Sequence, residues 1–480
     1  MKALAKTLRE ELGKQFVLDS PEELAVYDCD ACTLIKKGPE LVALPKTPEE
    51  VATVVNACNR AGVAYTARGA GTGLSGGALP LEGGVLIGLN RMNQILEIDA
   101  GNRTATVEVG VINASLNQQL KPYHLFYAPD PSSMAACTIG GNIAENAGGI
   151  HCIQYGVTTD HVLALQLVLP NGELTWVGSK NKKSNGPNLT GLIVGSEGTL
   201  GVITQAIVGL LPVPPKIKVY LAAFAEERHA GAAVSAIIKS GLKAVAVEFL
   251  DAFTLNAVNE AFNVGFPHDA QAVLLIELAG ADWEVENDEA RLRTILEEQQ
   301  MTQLRVGETE AERLALWKSR KGTVAAYGRY MPAFYLHDCV IPRSQLVPVL
   351  EKIRNVAKDY DVLIGNVFHA GDGNLHPHIF FDPADKAMLQ RALNAGEVIL
   401  RHCLSIGGTL SGEHGIGIEK SHFMKLQFTE ESLEKMHQLK SVFDPEHRCN
   451  PLKILPVRAG CAETRQGHTP QLLAQDGLWI

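Results

Sequence analysis

The sequence predicts an α+β protein of at least two folded units, ending in a helical segment. Three observations carry that expectation. The chain has 480 residues, more than one hydrophobic core usually organises. It opens on a strand–helix–strand pattern that breaks off into glycine-rich backbone. Beyond Pro212, Pro214 and Pro215 the texture changes to strands alternating with helices, the pattern of a layered α+β domain.

The elements follow in order. Residues 41–44 read as a strand. Thr47, Pro48 and Glu50 then mark a helix start: threonine caps, proline suits the first position, and the glutamate completes a capping box. Val51, Val54, Val55 and Cys58 fall on one helical face, and Gly62 stops the helix. Residues 63–68 return as a strand. Short strands are expected at 85–89, 95–98 and 104–109, and a helix over 112–121 that ends before Pro122. The apolar run 162–169 turns at Asn171-Gly172 into 174–177, which is a hairpin. After the proline cluster, strands near 217–224, 245–250 and 272–279 alternate with helices near 228–240, 253–260 and 284–299. Helices dominate from 384 to 443, and residues after 457 read as a mobile tail. No internal repeat is evident.

Composition narrows the function classes. Hydrophobic residues make up 46% of the chain and charged residues 20%, enough apolar material for cores. The net charge of −10, with no long basic run, argues against a nucleic-acid partner. Lys180, Lys182 and Lys183 read as a solvated loop. Residues 1–14 are amphipathic and charged, unlike a signal peptide, and no run approaches a membrane span. The expectation is a soluble, cytoplasmic protein, with peripheral membrane attachment only through a partner. Nine scattered cysteines include a single C-x-x-C, Cys29 and Cys32, and read as reduced thiols.

The 45 glycines are clustered, which suggests backbone close to a ligand. Gly71-Thr-Gly-Leu-Ser-Gly76 fits G-x-G-x-x-G, and Gly73-Leu-Ser75-Gly-Gly77 fits G-x-S-x-G. Both motifs need a helix directly after them, and Ala78-Leu-Pro80-Leu-Glu-Gly83-Gly84 cannot form one. What remains is a nest of main-chain N–H groups for an anion, with Arg68 beside it. A second zone runs Pro129-Asp-Pro-Ser-Ser133, Thr138-Ile-Gly-Gly-Asn142 and Asn146-Ala-Gly-Gly149. A third is Gly195-Ser-Glu-Gly-Thr-Leu-Gly201. Small residues, amides and hydroxyls of this kind suit a long dinucleotide cofactor.

These three zones resemble the FAD-binding domain of the vanillyl-alcohol oxidase and p-cresol methylhydroxylase superfamily. The likeness covers residues 20–456, and within the family it is nearest to the glycolate oxidase D subunit and the FAD-linked D-lactate dehydrogenases. It implies a two-subdomain FAD-binding domain of the p-cresol methylhydroxylase type, followed by an α+β substrate domain. The divisions expected are a helical segment over 1–40, the FAD-binding domain over 41–216, the oxidase C-terminal domain over 217–456 and the tail over 457–480. The resemblance implies FAD contacts from Arg68, Gly69, Ala70, Gly71, Thr72, Gly73, Leu74 and Ser75 in the first zone. From the second it implies Pro129, Asp130, Ser132, Ser133, Ile139, Gly140, Gly141, Asn142, Ala144, Asn146, Ala147, Gly148, Gly149, Tyr155 and Gly156. Glu197, Gly198, Gly201, Ile203 and Asn450 complete the set. The first loop has no histidine, so the FAD is expected to be noncovalent.

Two motifs carry the chemistry. His369-Ala-Gly-Asp-Gly-Asn-Leu-His376 lies between two strand-like runs, so a hairpin would bring the two histidines together. His378 reads as a core histidine. Ser411-Gly-Glu-His-Gly-Ile-Gly417 places a carboxylate beside an imidazole. His369, His376 and Glu413 suit a divalent ion, Zn, Mn or Fe, with positions open to substrate. Such an ion would chelate a 2-hydroxy acid while His414 takes the hydroxyl proton and the Cα hydride passes to flavin N5. The resemblance implies the same roles: metal ligands at His369, His376 and Glu413, and the base at His414. It also implies that Arg320 binds the substrate carboxylate, with Asn374 a candidate hydrogen-bond partner.

The expected function is therefore oxidation of a small D-2-hydroxy acid, glycolate or D-lactate, with electrons passed to an external quinone, cytochrome or iron–sulfur subunit. A homodimer or a glycolate oxidase-type complex is the expected assembly. Leu336 stands where relatives acting on D-2-hydroxyglutarate place a lysine, which weighs against a long dicarboxylate. A non-catalytic FAD-binding subunit would lack both histidine motifs, and both are present. Alkyl transfer in ether-lipid synthesis is a third reading of the same fold.

Overall fold

In a computed structural model that describes residues 1–181 and 186–457, the chain divides into two units. The first comprises Met1–Gly148, Val157–Val213 and the chain from Glu413 onward; the second comprises Gly149–Gly156 and Pro214–Gly412. Lys182, Lys183 and residues 458–480 lie outside the described residues. Lys180 is exposed and pairs with Glu97.

The first unit holds two larger sheets beside a two-stranded pair, Leu125–Phe126 with Leu211–Pro212. One has four strands in the order Val17–Leu18, Leu41–Ala43, Val85–Gly88, Tyr65–Arg68, the last three parallel. Helix Pro48–Ala61 makes the crossover. Thr47 Oγ1 accepts the Glu50 N–H at 3.2 Å, and Gly62 ends the helix at φ 66°. The capping box is not reciprocal, because the Glu50 carboxylate reaches back one residue further, to Lys46 N–H at 2.6 Å. Val51, Val54, Val55 and Cys58 are fully buried. Helix Lys2–Leu12 packs on this helix and buries Leu4, Leu8 and Leu12.

The other sheet has five antiparallel strands in the order Ile95–Asp99, Thr104–Glu108, Val202–Gly209, Val162–Val168, Leu174–Gly178. The predicted hairpin is present, with Leu167 opposite Thr175 and Gly172 at φ 88° in the turn. These two sheets are the two subdomains of the predicted FAD-binding fold. Residues 69–84 form no helix. A helix that sequence reasoning missed, Ile139–Glu145, opens inside the second glycine zone under a Thr138 cap. Gly140 is needed there, since a Cβ would lie 2.6 Å from the Cβ of Val109.

The second unit is built on one large antiparallel sheet. Its order is Met301–Gly307, Lys216–Phe224, Ala272–Gly280, Ala244–Asp251, Ile364–His369, with short strands continuing beyond. On one face, Val219, Leu221, Ala246, Leu250, Val273 and Leu275 pack against Leu255, Val258 and Trp317 of the covering helices. That face also carries Glu248 and Glu277, because residues two apart on a strand share a side. The helical stretch predicted for 384–443 is interrupted: no α-helix lies between Lys386–Ser405 and Met424–Gln427. Among the described residues, no helix is long and apolar enough to cross a membrane, and every cysteine is a free thiol.

Candidate active site

In the first unit, the strand Tyr65–Arg68 delivers Arg68 to the head of the first glycine loop. The residue is 8% exposed; Nη2 donates to the Cys29 carbonyl at 2.7 Å, while the buried Nη1 has no partner among the described residues. The side chain wraps over Gly71, where a Cβ would come within 2.2 Å of Nη2. Gly71 and Gly76 take φ of 72° and 74°, conformations glycine supplies at low cost. A cavity of about 730 Å³ adjoins the loop, lined among others by Ala70, Gly110, Ile112 and Thr138. A buried cation with an unspent donor beside a glycine loop is the chemistry a dinucleotide pyrophosphate needs, so these residues fit FAD.

The second and third zones are spent partly on each other. The Asn142 amide bonds Asn113 and Cys137, and Asn146 ends its helix at φ 54° and accepts the Thr159 N–H. The Pro129 carbonyl accepts from Asn113. Ile203 is buried in the antiparallel sheet opposite Leu167. Asn450 donates to the carbonyls of Gly77, at 2.9 Å, and Glu197, at 2.6 Å, and so ties the first zone to the third. Gly149, Tyr155 and Gly156 belong to the second unit; the other candidate cofactor residues belong to the first.

Buried charge gathers around the first loop. Burial pushes Asp30 up to about 7, and burial brings Lys453 down to about 8. A carboxylate raised in the folded state stabilises the fold at low pH, and that contribution is lost as pH rises from about 4 through about 7. Asp30→Asn is therefore expected to gain stability relative to the parent across that window, by a few degrees (~3 °C) in Tm. Thermal melts at pH 5 and pH 8 check this; a difference that does not change with pH refutes it.

In the second unit the two predicted histidines meet. Asp372 Oδ1 accepts the Asn374 N–H and Gly373 turns at φ 84°, so the chain reverses directly after His369. The His369 and His376 rings lie 5.0 Å apart, nearly perpendicular. Across the sheet, His369 is paired in register with Glu248, whose Oε1 sits 2.7 Å from His369 Nδ1. Glu248 Oε2 accepts from Arg320 Nε at 2.7 Å. Glu248 is fully buried; burial alone would raise its pKa, yet its contacts with His369 and Arg320 outweigh burial and hold the carboxyl below its usual value. It is an ionised carboxylate holding both partners. Asn374 is 4% exposed and its Oδ1 has no hydrogen-bond partner among the described residues.

Sequence reasoning missed Glu248 and Asp338. Asp338 is fully buried, lies 3.5 Å from His376 Nε2, and accepts hydrogen bonds from Ser411 Oγ and Gly412 N–H. The available signal was a single carboxylate within an apolar strand, Ala244-Val-Ala-Val-Glu248-Phe-Leu250. His378 packs between Tyr327 and Phe334, a core histidine as expected. Glu413 and His414 lie in the first unit, 3.7 Å apart between Oε1 and Nε2.

With this geometry in view, comparison with known proteins decides the family. The FAD linked oxidases, C-terminal domain family matches residues 213–454, and the FAD binding domain family matches residues 39–178. The chain belongs to the FAD-linked oxidases. This FAD-linked oxidase is 43% identical to the glycolate oxidase subunit GlcD of Escherichia coli (strain K12), over 96% of this chain and 94% of that protein. It is 38% identical to the subunit of the same name from Bacillus subtilis (strain 168), over 94% and 97%. Mitochondrial D-lactate dehydrogenase [cytochrome] of Arabidopsis thaliana is 30% identical, over 87% and 74%. Among solved structures, p-cresol methylhydroxylase with substrate bound superposes with a TM-score of 0.79 at 17% identity, covering 94% and 96%. At that identity the likeness speaks for the fold. The FAD-linked oxidase is thus an FAD-dependent oxidoreductase with the two-domain fold its sequence predicts.

Proposed function

We propose that this flavoprotein oxidises a small D-2-hydroxy acid, glycolate or D-lactate, to the 2-oxo acid and passes the electrons to an external acceptor. The observation that carries the reading is Glu248, a buried carboxylate shared between a guanidinium and an imidazole. It holds Arg320 by one edge, which directs the guanidinium fork to a monocarboxylate. The unpartnered Asn374 oxygen suits a hydroxyl donor on the same substrate. Relatives named for glycolate and for D-lactate support the substrate class. Leu336 supplies no second cation, so a long dicarboxylate is disfavoured.

Bound FAD supplies the hydride acceptor at N5. His414 takes the proton of the α-hydroxyl. The donor set also fits a divalent ion. Glu248 at His369 Nδ1 fixes the tautomer that leaves Nε2 with its lone pair, the carboxylate–histidine arrangement typical behind a metal ligand. His369, His376 and Glu413 would hold the ion, which would acidify the α-hydroxyl.

The test is anaerobic flavin reduction with a panel of D- and L-2-hydroxy acids, with metal analysis on the same sample. Bleaching by glycolate or D-lactate, with one divalent ion per chain, is expected. No bleaching by any 2-hydroxy acid rejects the function; bleaching without metal rejects only the ion.

A further inference from the structure

We infer that Glu197 is a positioning residue for the loop that carries His414, rather than a group that holds the cofactor. The inference rests on the reading of His414 as the base, and it concerns the first unit alone.

Glu197 sits in the third glycine zone between Gly195 and Gly198, all three with positive φ. At 50° its backbone is in the left-handed region that a glutamate rarely adopts, so surrounding contacts must impose it. Those contacts are on both ends of the residue. Its N–H donates to the Ala144 carbonyl at 2.9 Å, and its carbonyl accepts from Asn450 at 2.6 Å. The side chain is thereby aimed at the loop after His414.

There the carboxylate meets two successive amides. Oε1 accepts the Ile416 N–H at 2.7 Å and Oε2 accepts the Gly417 N–H at 2.8 Å. Gly415 and Gly417, at φ 86° and 50°, shape the turn around them. This is a nest of main-chain N–H groups filled by a side chain of the protein itself. With both oxygens spent on the loop and burial raising its pKa, the carboxyl group is engaged by the protein rather than turned to a cofactor.

The loop has no slack against its bed. A Cβ at Gly417 would lie 2.0 Å from the Ser75 carbonyl oxygen, and one at Gly415 would lie 2.1 Å from Glu145 Oε2. Ile418 N–H and Glu419 N–H both donate to that Ser75 carbonyl. The segment after His414 is thus pinned at four consecutive amides, two of them by one side chain. Freeing those two releases the amides two and three positions after the imidazole from the third glycine zone, while Lys420 Nζ still donates to the Gly415 carbonyl at 3.2 Å.

The experiment uses the holoenzyme of the parent, Glu197→Gln and His414→Ala. Three quantities are read: flavin content, flavin reduction at saturating substrate, and amide hydrogen exchange in a peptide spanning 414–418. Glu197→Gln is expected to keep its flavin and its KM within about threefold. Its reduction rate should fall about 10- to 100-fold, with faster exchange at those amides. Flavin lost in step with activity overturns the inference, because Glu197 would then be a cofactor residue. Unchanged reduction in Glu197→Gln with slow reduction in His414→Ala also overturns it and spares the base. Unchanged reduction in His414→Ala removes the base reading itself.

Discussion

Glu248→Gln is expected to lower kcat/KM for glycolate and D-lactate by about 10²- to 10³-fold while leaving flavin content unchanged. Two effects add. Glutamine offers one carbonyl oxygen where the carboxylate gave two, so either Arg320 or His369 loses its partner. The neutral amide also leaves the buried guanidinium uncompensated, and breaking a buried pair from one side commonly costs about 3–5 kcal/mol. A displaced Arg320 raises KM; a reoriented His369 weakens any bound metal by about 10- to 100-fold. Steady-state kinetics with metal titration separate the two. A kcat/KM within threefold of the parent would show that Glu248 merely packs the sheet.

His414→Ala should slow anaerobic flavin reduction by about 10²- to 10⁴-fold, the span a well-placed general base usually contributes. Flavin content should stay unchanged, because the imidazole is outside the glycine loops. Stopped-flow reduction with glycolate and D-lactate provides the reading. Reduction within threefold of the parent would assign the proton transfer to another group.

Much of the fold was legible because local signals agreed with it. Thr47 and Gly62 bound their helix, Asn171-Gly172 turns its hairpin, and the proline and glycine of residues 80–84 forbid the helix that two familiar motifs require. The helix Ile139–Glu145 was not legible, because Gly140 and Gly141 argue against helix by propensity. Packing decides instead, through the close approach of Gly140 to Val109. The edge strand Met301–Gly307 was missed because its Thr302, Gln303 and Arg305 weaken the apolar pattern. In the site, residues within motifs could be found, but partners could not. Glu248 meets His369 through a cross-strand register spanning 121 positions, which no local pattern encodes.

The first unit is also closed by chain from opposite ends. Thr66 bonds Asn450 across 384 positions; Tyr65 N–H donates to the Arg448 carbonyl, and Lys453 Nζ donates to that of Leu79. During synthesis, residues 65–79 therefore leave the ribosome long before the segment that braces them. For most of translation the parallel sheet stands without its final clasp. A nascent chain halted before position 450 would release a half-built cradle, a ready substrate for proteolysis.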